Sequence, residues 1–106
     1  MAHYMFRARY TQSGIQGLLK EGAASRTQSL GDVVASVGGH AESMYWSFGD
    51  EDFIMIAELP SNAAAAALAT RVSSTGTSAV STTVLLTADE VDAARAIDVK
   101  YRAPGA

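Results

Sequence analysis

The run Phe53-Ile54-Met55-Ile56-Ala57 limits this chain more than any other feature. Five apolar residues follow one another, and Pro60 closes the segment soon after. Side chains alternate across a strand, so Phe53, Met55 and Ala57 form one face and Ile54 and Ile56 the other. A strand apolar on both faces is a strand covered on both sides. The fold must therefore supply a sheet, a layer to pack on one side of it, and cover for the other. With 106 residues the chain has one domain's worth of core, which excludes a two-domain enzyme.

The rest of the chain supplies strands and helices in a regular order. His3 to Tyr10 reads as a strand, with Tyr4, Phe6, Ala8 and Tyr10 on one face and His3, Met5, Arg7 and Arg9 on the other. Thr11 to Gly14 turns the chain, and Ser13 with Gln16 fits a capping box. Ile15, Leu18 and Leu19 make a short helical stripe, which Gly22-Ala23-Ala24 weakens or breaks, with Ser25 and Gln28 placed to recap it. Leu30, Val33, Val34 and Val37 follow the i, i+3, i+4, i+7 spacing of a core-facing helix, ended by Gly38-Gly39. A second strand is expected from His40 to Phe48, a turn at Gly49-Asp50-Glu51, and the third strand over 52–59. Ser61 or Asn62 caps an alanine-rich helix to about Ser74; a fourth strand covers 77–86. Thr87 and Glu90 make a second capping box for a helix to about Ile97. The domain is expected over residues 1–99, with 100–106 as a loose tail.

The order β-α-β-β-α-β, followed by a small helix, is that of an α+β, ferredoxin-like domain. Right-handed crossovers lay the main helices on one face of a four-stranded antiparallel sheet. Phe53, Met55 and Ala57 then face the helices. The other face is left bare with Ile54 and Ile56 on it, and an exposed apolar sheet face marks an interface. A second copy of the chain is the expected partner, with Arg7, Arg9 and Glu58 pairing at the periphery of a homodimer contact centred on Ile54 and Ile56.

Gly39-His40-Ala41-Glu42-Ser43-Met44-Tyr45-Trp46-Ser47-Phe48-Gly49-Asp50-Glu51-Asp52-Phe53-Ile54-Met55-Ile56-Ala57-Glu58-Leu59-Pro60 resembles the GYD family, small bacterial proteins of the dimeric α-β barrel type. Thr11-Gln12-Ser13-Gly14-Ile15, the alanine-rich helix, Ser81-Thr82-Thr83 with Leu85, and Thr87-Ala88-Asp89-Glu90 extend the resemblance to residues 3–97. Gly49 and Asp52 stand where the family's name motif has them, but Glu51 occupies the tyrosine position. The resemblance implies the fold and self-association as a dimeric α-β barrel, and carries over no activity.

Several kinds of chemistry are excluded. A hydrophobic share of 48 % against 18 % charged residues is too apolar for disorder. With no cysteine there is no disulfide scaffold, thiol nucleophile or thiolate metal site. A net charge of −3 argues against a nucleic-acid partner. No basic leader with a long apolar run and no membrane-spanning stretch is visible, so a cytoplasmic protein is expected. No cofactor fingerprint is present. His3 and His40 read as ordinary surface or edge residues; a metal site would need carboxylates such as Asp50 or Asp52 beside them, and none is assigned. Asp50, Glu51 and Asp52 read first as a solvated turn.

The aromatic residues remain. Phe6, Trp46 and Phe48 are the candidates to line a cleft between sheet and helices that takes a small hydrophobic ligand, against plain core packing. The alternative is a cofactor-poor monooxygenase or isomerase acting on a hydrophobic or aromatic substrate in the same cleft, which rests on fold analogy.

Overall fold

The computed structural model describes residues 1–106. Four strands, β1 (Ala2–Tyr10), β2 (His40–Trp46), β3 (Phe53–Leu59) and β4 (Ser78–Leu85), form one sheet in the order β2-β3-β1-β4. All three pairings are antiparallel. Helices α1 (Gln12–Glu21) and α2 (Ala23–Ser36) make the first crossover, α3 (Asn62–Ser74) the second, and α4 (Ala88–Arg95) follows β4. This is the ferredoxin-like α+β arrangement expected from the sequence.

The alternation of β1 and β3 decides where the core lies. Tyr4, Phe6, Ala8, Phe53, Met55, Ala57 and Leu59 are buried, and they meet Leu30 and Val34 of α2 and Ala65 and Leu68 of α3. The intervening residues Met5, Arg7, Ile54, Ile56 and Glu58 are only half-buried, because no helix covers their face. The register pairs Met5 with Ile56 and Arg7 with Ile54 on that open face. Alanine lets α3 approach the sheet closely, with Ala65 buried against it. Tyr4 keeps its hydroxyl satisfied inside the core by donating to Asn62 Oδ1 at 2.5 Å.

Local differences from the sequence reading have clear causes. Thr11, not Ser13, caps α1: its hydroxyl accepts from the Gly14 amide. Thr11 is also tied to the turn before β4, its amide donating to Thr77 O at 3.0 Å and its hydroxyl to Gly76 O at 2.8 Å. The break between α1 and α2 falls at Gly22, whose φ of 91° suits only glycine, so α2 starts at Ala23 with no side-chain cap from Ser25. β2 stops at Trp46 rather than Phe48. Ser47 turns inward to the loop, its hydroxyl donating to Glu51 O, and Phe48 takes a φ of 51°. Asp52 lies just outside β3. Its carboxylate accepts from the Tyr10 amide at 2.8 Å and its own amide donates to Ala8 O, so it ties the turn to β1.

The chain is long for its size. It measures 57 × 33 × 22 Å, with a radius of gyration of 16.9 Å; a compact chain of this length would have about 13 Å. Every residue from Leu86 to Ala106 is exposed, and α4 buries none of its side chains. No helix is long and apolar enough to cross a membrane.

Candidate ligand cavity and open sheet face

The helix side of the sheet holds a cavity of about 380 Å³. α1 supplies Gly14, Gly17, Leu18 and Glu21; α2 supplies Arg26, Leu30 and Val33; α3 and the turn after it supply Arg71, Val72, Thr75 and Thr77; Tyr10 closes it from β1. The break at Gly22 separates α1 from α2, and both helices border this space. Beneath lies a smaller hollow of about 40 Å³ that shares Tyr10, Arg26, Leu30 and Val72 and reaches Phe6, Phe53 and Met55. The walls are mixed: Tyr10, Leu18, Leu30, Val33 and Val72 give most of the exposed surface, Ser13, Glu21, Thr75 and Thr77 add polar groups, and two guanidinium groups stand in the lining. Arg26 lies 3.9 Å from Glu21, whose other carboxylate oxygen accepts from Ser25. Arg71 has no ion-pair partner.

The three aromatic residues expected to line such a cleft are not brought together. Phe6 is buried in the core and borders the small hollow. Trp46 is half-buried against Phe53, with ring centroids 4.9 Å apart, and lines neither space. Its Nε1 donates to the Tyr10 hydroxyl at 3.3 Å, so it touches the cavity through one intermediary. Phe48 is 59 % exposed in the loop beyond β2. The residues that do line the cavity come from three helices, and their meeting depends on helix packing that no local pattern announces. Tyr10, Leu18, Leu30 and Val33 had a signal only as members of the apolar faces of β1, α1 and α2, not as a shared lining.

The open face carries the five residues expected there. Ile54 and Ile56 occupy its centre with Met5 alongside, and Arg7, Arg9 and Glu58 flank them. Arg7 pairs within the chain, its guanidinium 3.4 Å from Glu51 Oε1. Glu51 thus supplies a counter-charge to Arg7. At the other end, Glu58 lies opposite His3 across β1–β3 and opposite His40 across β2–β3.

A four-stranded antiparallel sheet with one helical layer, a cavity under that layer and an uncovered opposite face defines a ferredoxin-like α+β domain. The chain belongs to the GYD family: the family model described as the GYD domain matches residues 4–94. Comparison with curated proteins and with solved structures gave no match.

Proposed function

We propose that this GYD-domain protein is a homodimeric, cytoplasmic small-molecule-binding protein that pairs through its open sheet face and takes an apolar, anionic ligand in the helix-side cavity. The observation that carries this reading is the cavity itself. Its volume of about 380 Å³ falls in the range of small-molecule sites, and Arg26 and Arg71 stand in an otherwise largely apolar lining. Such a lining suits a hydrocarbon or aromatic body ending in a carboxylate or sulfonate. A cofactor-poor monooxygenase or isomerase would need a free base against its substrate. The only carboxylate in the lining, Glu21, is already held by Ser25 and Arg26, which favours binding over catalysis.

Pairing is supported by Met5, Ile54 and Ile56, which share a face that no part of the chain covers. Burying each isoleucine in a second copy contributes about 1.5–3 kcal/mol, and a two-fold contact uses the same patch twice. The cavity lies on the opposite side of the sheet, so dimerisation leaves it open.

The ligand test uses anilinonaphthalene sulfonate, an aromatic anion whose fluorescence rises on transfer to apolar surroundings. One site per chain is expected, and Trp46, the only tryptophan, should respond through Tyr10. Gly17 lines the cavity and a Cβ there meets nothing within 4 Å, so Gly17→Phe is the substitution chosen to block it. It should abolish binding, and undiminished binding would overturn the assignment. Dimerisation is read by sedimentation equilibrium. A wild-type monomer at micromolar concentration, or a dimer unaffected by Ile54→Lys with Ile56→Lys, would remove that half of the proposal.

A further inference from the structure

The open face carries a second cluster that neither the cavity nor an apolar contact uses. His3 on β1, Glu42 on β2 and Glu58 on β3 each present a ligand atom, and these atoms lie within 4.8 Å of one another. His3 Nδ1 is 2.9 Å from Glu42 Oε1. The backbone makes this arrangement deliberately. Glu58 is the register partner of His3, which stacks the two side chains on adjacent strands. Glu42 belongs to an irregularity in β2: Ala41 pairs with Ala57 and Ser43 with Ile56, so Glu42 is an extra residue in the ladder. A bulge of this kind re-aims a side chain at the cost of local pairing. Here it directs a carboxylate toward His3.

The charges do not balance as they stand. The Glu58 carboxylate has no ion pair, and that of Glu42 pairs only with His3. Neither meets a lysine or arginine. Two carboxylates therefore converge on His3, and the only other imidazole nearby is that of His40, opposite Glu58 across β2–β3. A hollow of about 290 Å³ adjoins them, lined by His3, Glu42, Ile56, Leu85, Leu86 and Thr87, and leaves room for a fourth, non-protein ligand.

We propose that His3, Glu42 and Glu58 form a binding site for a first-row divalent cation such as Zn²⁺. One nitrogen and two carboxylate oxygens suit such an ion better than Ca²⁺ or Mg²⁺, which take oxygen alone. Donor atoms around tetrahedral zinc stand roughly 3.3 Å apart, given bonds of about 2.0 Å, and rotation of two glutamate side chains closes the difference. The remaining position faces the hollow and is open to water or a small ligand. The cation also neutralises the carboxylates on the face that pairs in the dimer, although all three ligands come from one chain and the site stands without a partner. The sequence reading looked to Asp50 or Asp52 for carboxylates near the histidines; β-sheet register brings Glu58 instead, and the bulge brings Glu42.

The experiment uses the untagged full chain, stripped with a chelator and titrated with Zn²⁺ by calorimetry and with Co²⁺ by visible absorption. One ion per chain with micromolar or tighter affinity is expected, with cobalt bands of low-coordinate N/O ligation. Glu42→Gln, Glu58→Gln and His3→Gln should each weaken binding at least tenfold, and Glu51→Gln on the same face should not. Zn²⁺ should raise the melting temperature of the wild type and not of the three variants. Glu42 is exposed and Glu58 half-buried, so the isosteric amides should fold, which circular dichroism checks. Absence of binding below millimolar Zn²⁺ would overturn the site. So would affinity that survives the Glu42→Gln, Glu58→Gln double substitution, which would move the ion to His40 or the chain terminus.

Discussion

Two glycines of α1 sit one turn apart in opposite circumstances. A Cβ on Gly14 would run into the backbone carbonyl of Thr77 and crowd the Tyr10 ring, whereas one on Gly17 would meet nothing. A carbonyl fixed by the cap at Thr11 cannot move aside without lifting α1 off the sheet. Gly14→Ala is therefore expected to cost about 1–3 kcal/mol in urea unfolding. Gly17→Ala should gain about 0.5–1 kcal/mol, since alanine orders a helix interior at less entropic cost. Equal effects at the two positions would mean that α1 does not pack on Thr77. Glu90 makes a different residue-scale statement. Its pKa is lowered, chiefly because its carboxylate accepts from the Thr87 backbone amide and then from the Thr87 hydroxyl. The folded-state pKa lies below the unfolded value of about 4.5, so the ionised form favours the capped helix. That contribution is present above the unfolded pKa and is lost as the pH falls through the folded one. Acid titration followed by NMR should show the Thr87 amide shifting and α4 fraying over that window, and Glu90→Gln should remove the dependence.

At the scale of elements, the two faces of β3 give the sharpest contrast. Met55 is buried under the helices, and Ile54, one residue away, points to the open face. Met55→Asp places a charge in the core, at a cost of more than about 4 kcal/mol, and should abolish the folded circular dichroism spectrum. Ile54→Asp should leave that spectrum intact. The reverse result would mean that the register is off by one residue. This alternation was legible in the sequence because period two survives any packing, and so were the Gly22 break and the Thr87–Glu90 capping box. Three features were not legible. Phe48 leaves β2 because Ser47 bonds to the turn, a choice between two local hydrogen-bond schemes that spacing does not decide. The cavity depends on how α1, α2 and α3 are set against one another, which involves residues 10–77. The bulge at Glu42 leaves no mark in the residues of β2, and the His3–Glu42–Glu58 cluster is visible only once the register is known.

For the whole molecule, the elongation goes together with a C-terminal segment, residues 86–106, that is exposed throughout. Ile97, Val99 and Tyr101 are between 67 % and 71 % exposed and contribute nothing to the core. Deleting residues 97–106 should leave the melting temperature of the domain within about 2 °C of the full chain, a small change for a segment with no buried contacts. A larger drop would show that the segment packs on the domain, in the same chain or in its partner. Comparing the two lengths by sedimentation equilibrium separates those cases, because a segment that clasps a partner weakens the dimer when removed.

β1 is a single extended backbone with a different task on each side. Phe6, Ala8 and Tyr10 form walls of the helix-side spaces, and His3, Met5 and Arg7 belong to the face beyond. Nothing lies between these sets except the strand itself. A guest that displaces Phe6 or Tyr10 therefore carries its opposite-facing neighbours with it. If the proposed guests bind on the two sides, any coupling between them is reciprocal: whatever factor a bound cation imposes on ligand affinity, the ligand must impose on cation affinity. Titrations run in either order should close the same square of free energies. A square that fails to close would reveal a third participant, the dissociated chain.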